Sequence, residues 1–303
     1  QAGHHGEMAW LARDTARRSD PGKVVEGARS VIVLAVDYDS DAPRSTEWFG
    51  APGDRGWISR YAWGDDYHRV IERRLKAFSR AVEAELIPRI GPEIRPFRHA
   101  DASWTPRTDF RFYVDHGPVL ERAWAERAGI GWRGRHGLIV DPSRGSYFFL
   151  AVVLTILDLE PDQATPDHCG TCTACVDVCP TDAILPHRTV DSNRCISYLT
   201  IEAPLPLEPD ASARLHGHVF GCDLCQDVCP FNRFSRPGDP AFSPRPGLVA
   251  PRLADLAVMD DAAFSATFAQ SAVKRRKAKG LRQVAEVVAC YSSGSADGEA
   301  ASE

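Results

Sequence analysis

A chain of 303 residues, 44% hydrophobic and 25% charged, is long enough for two domains and for a core of its own. Its longest apolar stretch, YFFLAVVLTIL at 147–157, falls short of the roughly 18 residues a membrane helix needs, so a membrane protein is not expected. A net charge of −5 argues against nucleic-acid binding over the whole surface and leaves room for a local basic face.

The first 29 residues read as helix and loop, with HGEMAWLARDTARR as one helix that stops before Asp20-Pro21-Gly22. SVIVLAVDY at 30–38 is short, apolar and β-branched, which predicts a buried strand. A loop rich in Pro, Gly and charge then leads to SRYAWGDDYH. There Arg60, Tyr61, Trp63 and His68 gather at the entrance of a helix predicted from about 66 to 87, ending before Pro88. These side chains either point into a cleft or pack at the helix start.

FRFYVD at 110–115 alternates as a strand, and the next helix is expected to carry Pro118 at its first position and Gly129 at its end. Asp115 thus falls at a strand end. It is either a proton donor facing a crevice of an open α/β sheet or a cap for the following helix. GIGWRG at 129–134 matches the dinucleotide fingerprint G-x-G-x-x-G in letters only. A helix precedes it and a strand-like HGLIVD follows, the reverse of the context that places a pyrophosphate on a helix N-terminus. YFFLAVVLTIL, rich in β-branched and aromatic residues, reads as strand first and helix second, and the Pro-rich tract 160–168 closes the first domain.

The run CGTCTACVDVCP, from Cys169 to Pro180, has the spacing C-x2-C-x2-C-x3-C-P that wraps 4Fe-4S clusters. In two-cluster ferredoxins the fourth cysteine of such a run serves the other cluster. GCDLCQDVCP supplies that second site through Cys222, Cys225 and Cys229, with Val219 where another cysteine would complete the pattern. Cys195 fills the gap. The expected sets are therefore Cys169, Cys172, Cys175 and Cys229 on one cluster, and Cys179, Cys195, Cys222 and Cys225 on the other. Zinc is the alternative, but zinc sites pair their cysteines, whereas here three fall in one run and both runs end in Cys-Pro. A disulfide framework does not suit cysteines crowded into one third of so long a chain. Cys290 lies apart as an ordinary thiol. Reduced-cysteine chemistry without a signal peptide points to the cytoplasm.

A helix from Asp191 to Glu202 is expected to carry Cys195, and helical segments follow near 253–259 and 262–268. KRRKAKG at 274–280, with Arg282, is either a solvated helix face or a contact for phosphates. SSGSADGEAASE at the end has the composition of a disordered tail. The organisation read from the chain is a mixed α/β (α+β) domain at 1–160, a ferredoxin-like two-cluster domain at 161–236 and a helical segment at 237–303. An electron-delivery module of this kind serves a redox site in the first domain.

The order of SVIVLAVDY, DAPRST, SRYAWGDDYH, YVDHGPVLERAWAERAGIGWRGR, GSYFFLA, CGTCTACVDVCPTDAI, RCISYLTIE and GCDLCQDVCPFN resembles the epoxyqueuosine reductases over nearly the whole chain. The resemblance implies cobalamin without a protein histidine on cobalt, two 4Fe-4S clusters, and reduction of epoxyqueuosine to queuosine at the wobble position of tRNA. It implies Asp115 as general acid, with a pKa raised by desolvation so that the proton is kept near neutral pH. It also implies cobalamin neighbours at Arg18, Ser59, Arg60, Asp115, Ile139, Leu150 and Ser197, an anticodon-region tRNA partner near the basic run, an unidentified electron donor and a monomer. Arg135-His136 stands where the family usually has Lys-Asn. The alternatives are a cobalamin-dependent, dehalogenase-like reductase of small molecules, or an iron-sulfur electron-transfer subunit whose first domain only docks a partner.

Overall fold

The computed structural model describes residues 2–47, 53–90, 110–207 and 211–294. The end of the acidic tail, from residue 295, lies outside them. The centre of the first region is the strand Phe148–Thr155, paired antiparallel with Ser30–Asp37 on one side and Phe110–Tyr113 on the other. Its β-branched and aromatic run suits this central place because both faces are covered. Phe149, Ala151 and Val153 pack with Val70, Ile71 and Leu75 of the long helix Tyr67–Ile90. Phe148, Val152 and Leu154 pack on the opposite side with Val119 and Ala125 of the segment that carries the helix Glu121–Arg127. The period of two assigns alternate residues to these two layers.

This sheet is antiparallel, so the crevice rule for open parallel sheets does not position Asp115. A bend does. After Tyr113 the chain turns sharply, with Asp115 in the left-handed region at φ 57°. The helix beyond begins at Glu121 rather than at Pro118, and Gly129 follows its end at φ 70° as predicted.

A third core joins the regions that the sequence separates. Trp57, Ile58 and Trp63 share it with Leu199, Phe220, Leu253, Leu281 and Val284, so buried contacts run across both predicted boundaries. Trp57–Ile58 pairs in parallel with His218–Phe220, which ties the start of the helix entrance to the second cysteine run.

Three expected helices differ in detail. The N-terminal one is broken into Ala9–Leu11 and Thr15–Arg18, because Asp14 adopts φ 46° and caps Arg17 N–H instead of continuing the turn. The helix after Asp191 is shorter, Ile196–Ile201, with Cys195 as its extended N-cap residue. The long helix continues past Pro88 to Ile90. Among the described residues no helix is long and apolar enough to cross a membrane.

Candidate active site and cluster sites

The fold brings the two cysteine runs near one another, and among the described residues no three His, Cys, Asp or Glu side chains are grouped closely enough to hold a single metal ion. Burial first, and then the nearby Cys229, Cys169 and Cys172, push the Cys175 thiol up to about 11. Burial also raises Cys222 and Cys225; Cys222 is flanked by Cys225 and Cys195, while Cys225 faces Cys195, then Cys175 and Cys179. Each four is thus a group whose thiolates repel one another unless a cation is shared among them. Backbone N–H groups of Ser197 and Tyr198 aim at Cys195, those of Phe231 and Asn232 at Cys229, and that of Ala183 at the Cys179 sulfur at 3.4 Å. Trp132 Nε1 donates to Cys169 Sγ at 3.3 Å. Such donors favour thiolates over thiols. The donor sets therefore fit iron-sulfur clusters. Cys290 is exposed and stands apart, as expected.

Asp115 lies at the edge of an aromatic wall. Tyr67 stacks on Phe149 with centroids 4.2 Å apart, and Tyr61 meets both rings edge-on. Tyr67 Oη donates to Asp115 Oδ2 at 2.6 Å, and Asp115 N–H donates to Glu121 Oε1 at 2.6 Å. Burial, with the Asp115 carboxylate as second cause, holds the Tyr67 phenol well above its ordinary pKa, so it remains a donor. Burial likewise lifts Glu121 to about 7; Asp115 adds to the rise, while the Asp115 amide, Arg122 and Arg18 oppose it. Asp115 itself is exposed in the protein alone, so the desolvation expected of it is not supplied by the chain.

Two imidazoles flank the acid, and both are already engaged. His68 Nδ1 lies 2.8 Å from Asp66 and His116 Nε2 lies 3.4 Å from Glu72. Burial opposes the charge on His68, but the hydrogen bond and charge of Asp66 outweigh it and raise the His68 pKa.

The other predicted neighbours separate into two groups. Arg18 is half-buried and acts on Glu121, which brings it to the acid, and Ser197 is half-buried in the turn after Cys195. Ser59 and Arg60, in contrast, serve the protein's own framework. Ser59 Oγ donates to Asp223 Oδ1 at 2.5 Å, and the Arg60 guanidinium is held by Ser40 O, Ala42 O, Pro43 O and Asp39. Ile139 is buried in the core beside the sheet, with Leu150 packed against it.

Sequence reasoning missed Tyr67, Glu121 and Asp223. Asp223 is 1% exposed and accepts from Ser59, Arg60 N–H at 2.8 Å and Trp57 Nε1 at 3.1 Å. It stands between Cys222 and Leu224, so one residue fastens the second cysteine run to the helix entrance beside the acid. Burial and the nearby Asp227 push its carboxyl up to about 6, against these hydrogen bonds. Its signal was a charged residue between two cluster ligands.

Residues 168–232 match the family model of the 4Fe-4S double cluster binding domain, and residues 18–98 match that of epoxyqueuosine reductase QueG, DUF1730. The chain is 41% identical over 287 residues to the epoxyqueuosine reductase of Synechocystis sp., covering 94% of this chain and 90% of that protein. The chain belongs to the epoxyqueuosine reductase family. Solved family structures superpose on it at 30% identity. One, in complex with an epoxyqueuosine-modified tRNA-Tyr stem loop, has a TM-score of 0.75 and covers 92% of this chain and 69% of its own. Another, from Bacillus subtilis, has its catalytic aspartate loop swung out of the active site, with a TM-score of 0.76 and coverage of 94% and 70%. The match over 168–232 decides between iron-sulfur and zinc in favour of iron-sulfur.

Proposed function

We propose that this protein reduces epoxyqueuosine to queuosine in tRNA, with Asp115 as general acid. The observation that carries the reading is the convergence of an epoxyqueuosine reductase family match with a carboxyl group held from both sides, by Tyr67 Oη and by Glu121. Removing an epoxide oxygen as water needs two electrons and two protons. The cysteine sets Cys169, Cys172, Cys175, Cys229 and Cys179, Cys195, Cys222, Cys225 would each hold a 4Fe-4S cluster and pass electrons singly. Cys225 senses thiolates of both sets, which supports a short path between them.

Cobalamin is the proposed acceptor of those electrons. The fit rests on three features: a wall of Tyr61, Tyr67 and Phe149, an acid at its edge, and flanking imidazoles already paired with carboxylates, which suits a metal that takes no protein nitrogen. When bound, it would supply low-valent cobalt able to deliver electrons to carbon. Arg18 and Ser197 would contact it from the side of the acid. The chain's own part is the proton. Asp115 protonates the departing oxygen, Tyr67 fixes the carboxyl orientation through Oδ2, and Glu121 fixes the left-handed peptide that aims it. A substrate covering the exposed Asp115 would shut water away from it.

The same reading proposes an anticodon-region tRNA partner, a separate electron donor, a monomeric state and a cytoplasmic setting suited to reduced thiols. The test is anaerobic turnover of epoxyqueuosine-containing tRNA with and without added cobalamin under a strong reductant. Queuosine formed only with the cofactor supports the reading; reduction of a small halogenated compound with no reaction on tRNA replaces it.

A further inference from the structure

The stretch from Ala9 to Arg17 is exposed at every residue, yet it is not loosely attached. Just before it, Glu7 N–H donates to Tyr198 Oη at 2.8 Å, Gly6 lies flat against the Tyr198 ring, and Ser192 N–H donates to His4 O at 2.8 Å. Met8 packs into the shared core. The anchored stretch holds Trp10 at 43% exposure, with a face of the ring open to solvent.

The surroundings of Trp10 are cationic. The Arg275 guanidinium sits 5.6 Å from the indole centroid, oriented by two hydrogen bonds of 2.8 Å to Glu202. Lys274 is exposed beside Arg275, and Arg13 and Arg17 are exposed on the stretch itself. Packing ties the stretch to the acid's surroundings at both ends. Before it, Met8 packs against the same core as Tyr61 of the aromatic wall. Beyond it, Val24 and Val25 share a core with Tyr113 and Val119, which bracket the bend at Asp115. The stretch therefore bridges the two cores that carry the wall and the acid.

We propose that Trp10 and Arg275 form a stacking platform for an unpaired base next to the reacting nucleotide, with Arg13 and Arg17 taking the flanking phosphates. This rests on the tRNA reading above and adds residues to it. A base that must reach Asp115 has to leave the stack of its loop, which exposes a neighbouring π-face. Proteins cover such faces with aromatic rings and arginine planes, and steer the backbone with nearby cations. An exposed indole beside a guanidinium, on a stretch that carries two further exposed arginines, has that composition.

The test uses the cluster-loaded protein and an anticodon stem–loop RNA carrying epoxyqueuosine, with binding followed by anisotropy. Trp10→Ala is expected to weaken binding about tenfold and Trp10→Phe to restore most of it, the size of one base–aromatic stack. Arg13→Gln with Arg17→Gln should flatten the salt dependence of affinity by about two phosphates. Iron content and cofactor absorbance of Trp10→Ala should match the wild type. Wild-type affinity in Trp10→Ala, or loss of bound cofactor in place of RNA affinity, overturns the platform while wild-type turnover of the RNA keeps the tRNA reading intact. If the wild-type protein neither binds nor converts the stem–loop, the tRNA reading falls and the platform with it.

Discussion

Tyr67 Oη and Asp115 Oδ2 are 2.6 Å apart, although 48 positions separate the two residues. The phenol stands at the first residue of the long helix, and the acid stands beyond the end of an edge strand. Their meeting explains why a carboxyl group on an exposed bend can have a defined direction. Asp115→Asn should lower turnover by about 10²–10⁴-fold with RNA affinity unchanged, the range of a lost general acid. Tyr67→Phe should cost about tenfold, as the hydrogen bond that orients the acid is lost. Single-turnover rates with saturating RNA measure both.

Glu121 gives a pH signature. Its pKa, lifted to about 7 by burial and by Asp115, exceeds its ordinary value of 4.5. The folded chain therefore binds more protons than the unfolded one between those values, and stability should fall as pH rises through that window. Glu121→Gln keeps an acceptor for the Asp115 amide and removes the titration. Thermal unfolding of the variant should be flatter than that of the wild type between about pH 4.5 and 7; parallel curves would show that Glu121 is not the group responsible.

Metal content separates the two cysteine sets. Cys172→Ser and Cys225→Ser should each lower iron from about eight to about four per chain, because each removes a ligand of a different cluster. Cys290→Ser should leave iron unchanged. An equal loss of all iron in both variants would point to one shared site.

Asp223 makes a stability prediction. Asp223→Ala leaves Ser59 Oγ, Arg60 N–H and Trp57 Nε1 without their buried acceptor. The cost should be about 3 kcal/mol, read from denaturant unfolding of the cluster-loaded protein. Asp223→Asn, which keeps one acceptor oxygen, should cost less.

The iron-sulfur region was legible because most of its cysteines sit within two short runs, where spacing is chemistry. The central strand was legible as the first of two readings, because its uncharged run is rich in the β-branched and aromatic residues that favour strand over helix. Tyr67 and Glu121 were not, since each looks ordinary on its own helix and acquires its role only when the bend at Asp115 reaches both. Ser59 and Arg60 looked like cofactor contacts in the sequence, yet their side chains are held by Asp223 and by the loop from Asp39 to Pro43. Helical periodicity overran Asp14, whose short acid prefers to cap the next turn. The basic run at 274–280 divides in the fold: Arg276 turns inward to the Ala203 carbonyl, and Arg275 pairs with Glu202 beside Trp10.

The most direct measurement is a single turnover of epoxyqueuosine-containing tRNA, wild type beside Asp115→Asn, with the nucleosides read by mass spectrometry. The account predicts loss of one oxygen atom from the modified nucleoside with the wild type and an unchanged nucleoside with the variant over the same interval. Equal conversion by both proteins would contradict the assignment of the acid, and no conversion by a wild-type protein carrying its clusters and cobalamin would contradict the proposed reaction.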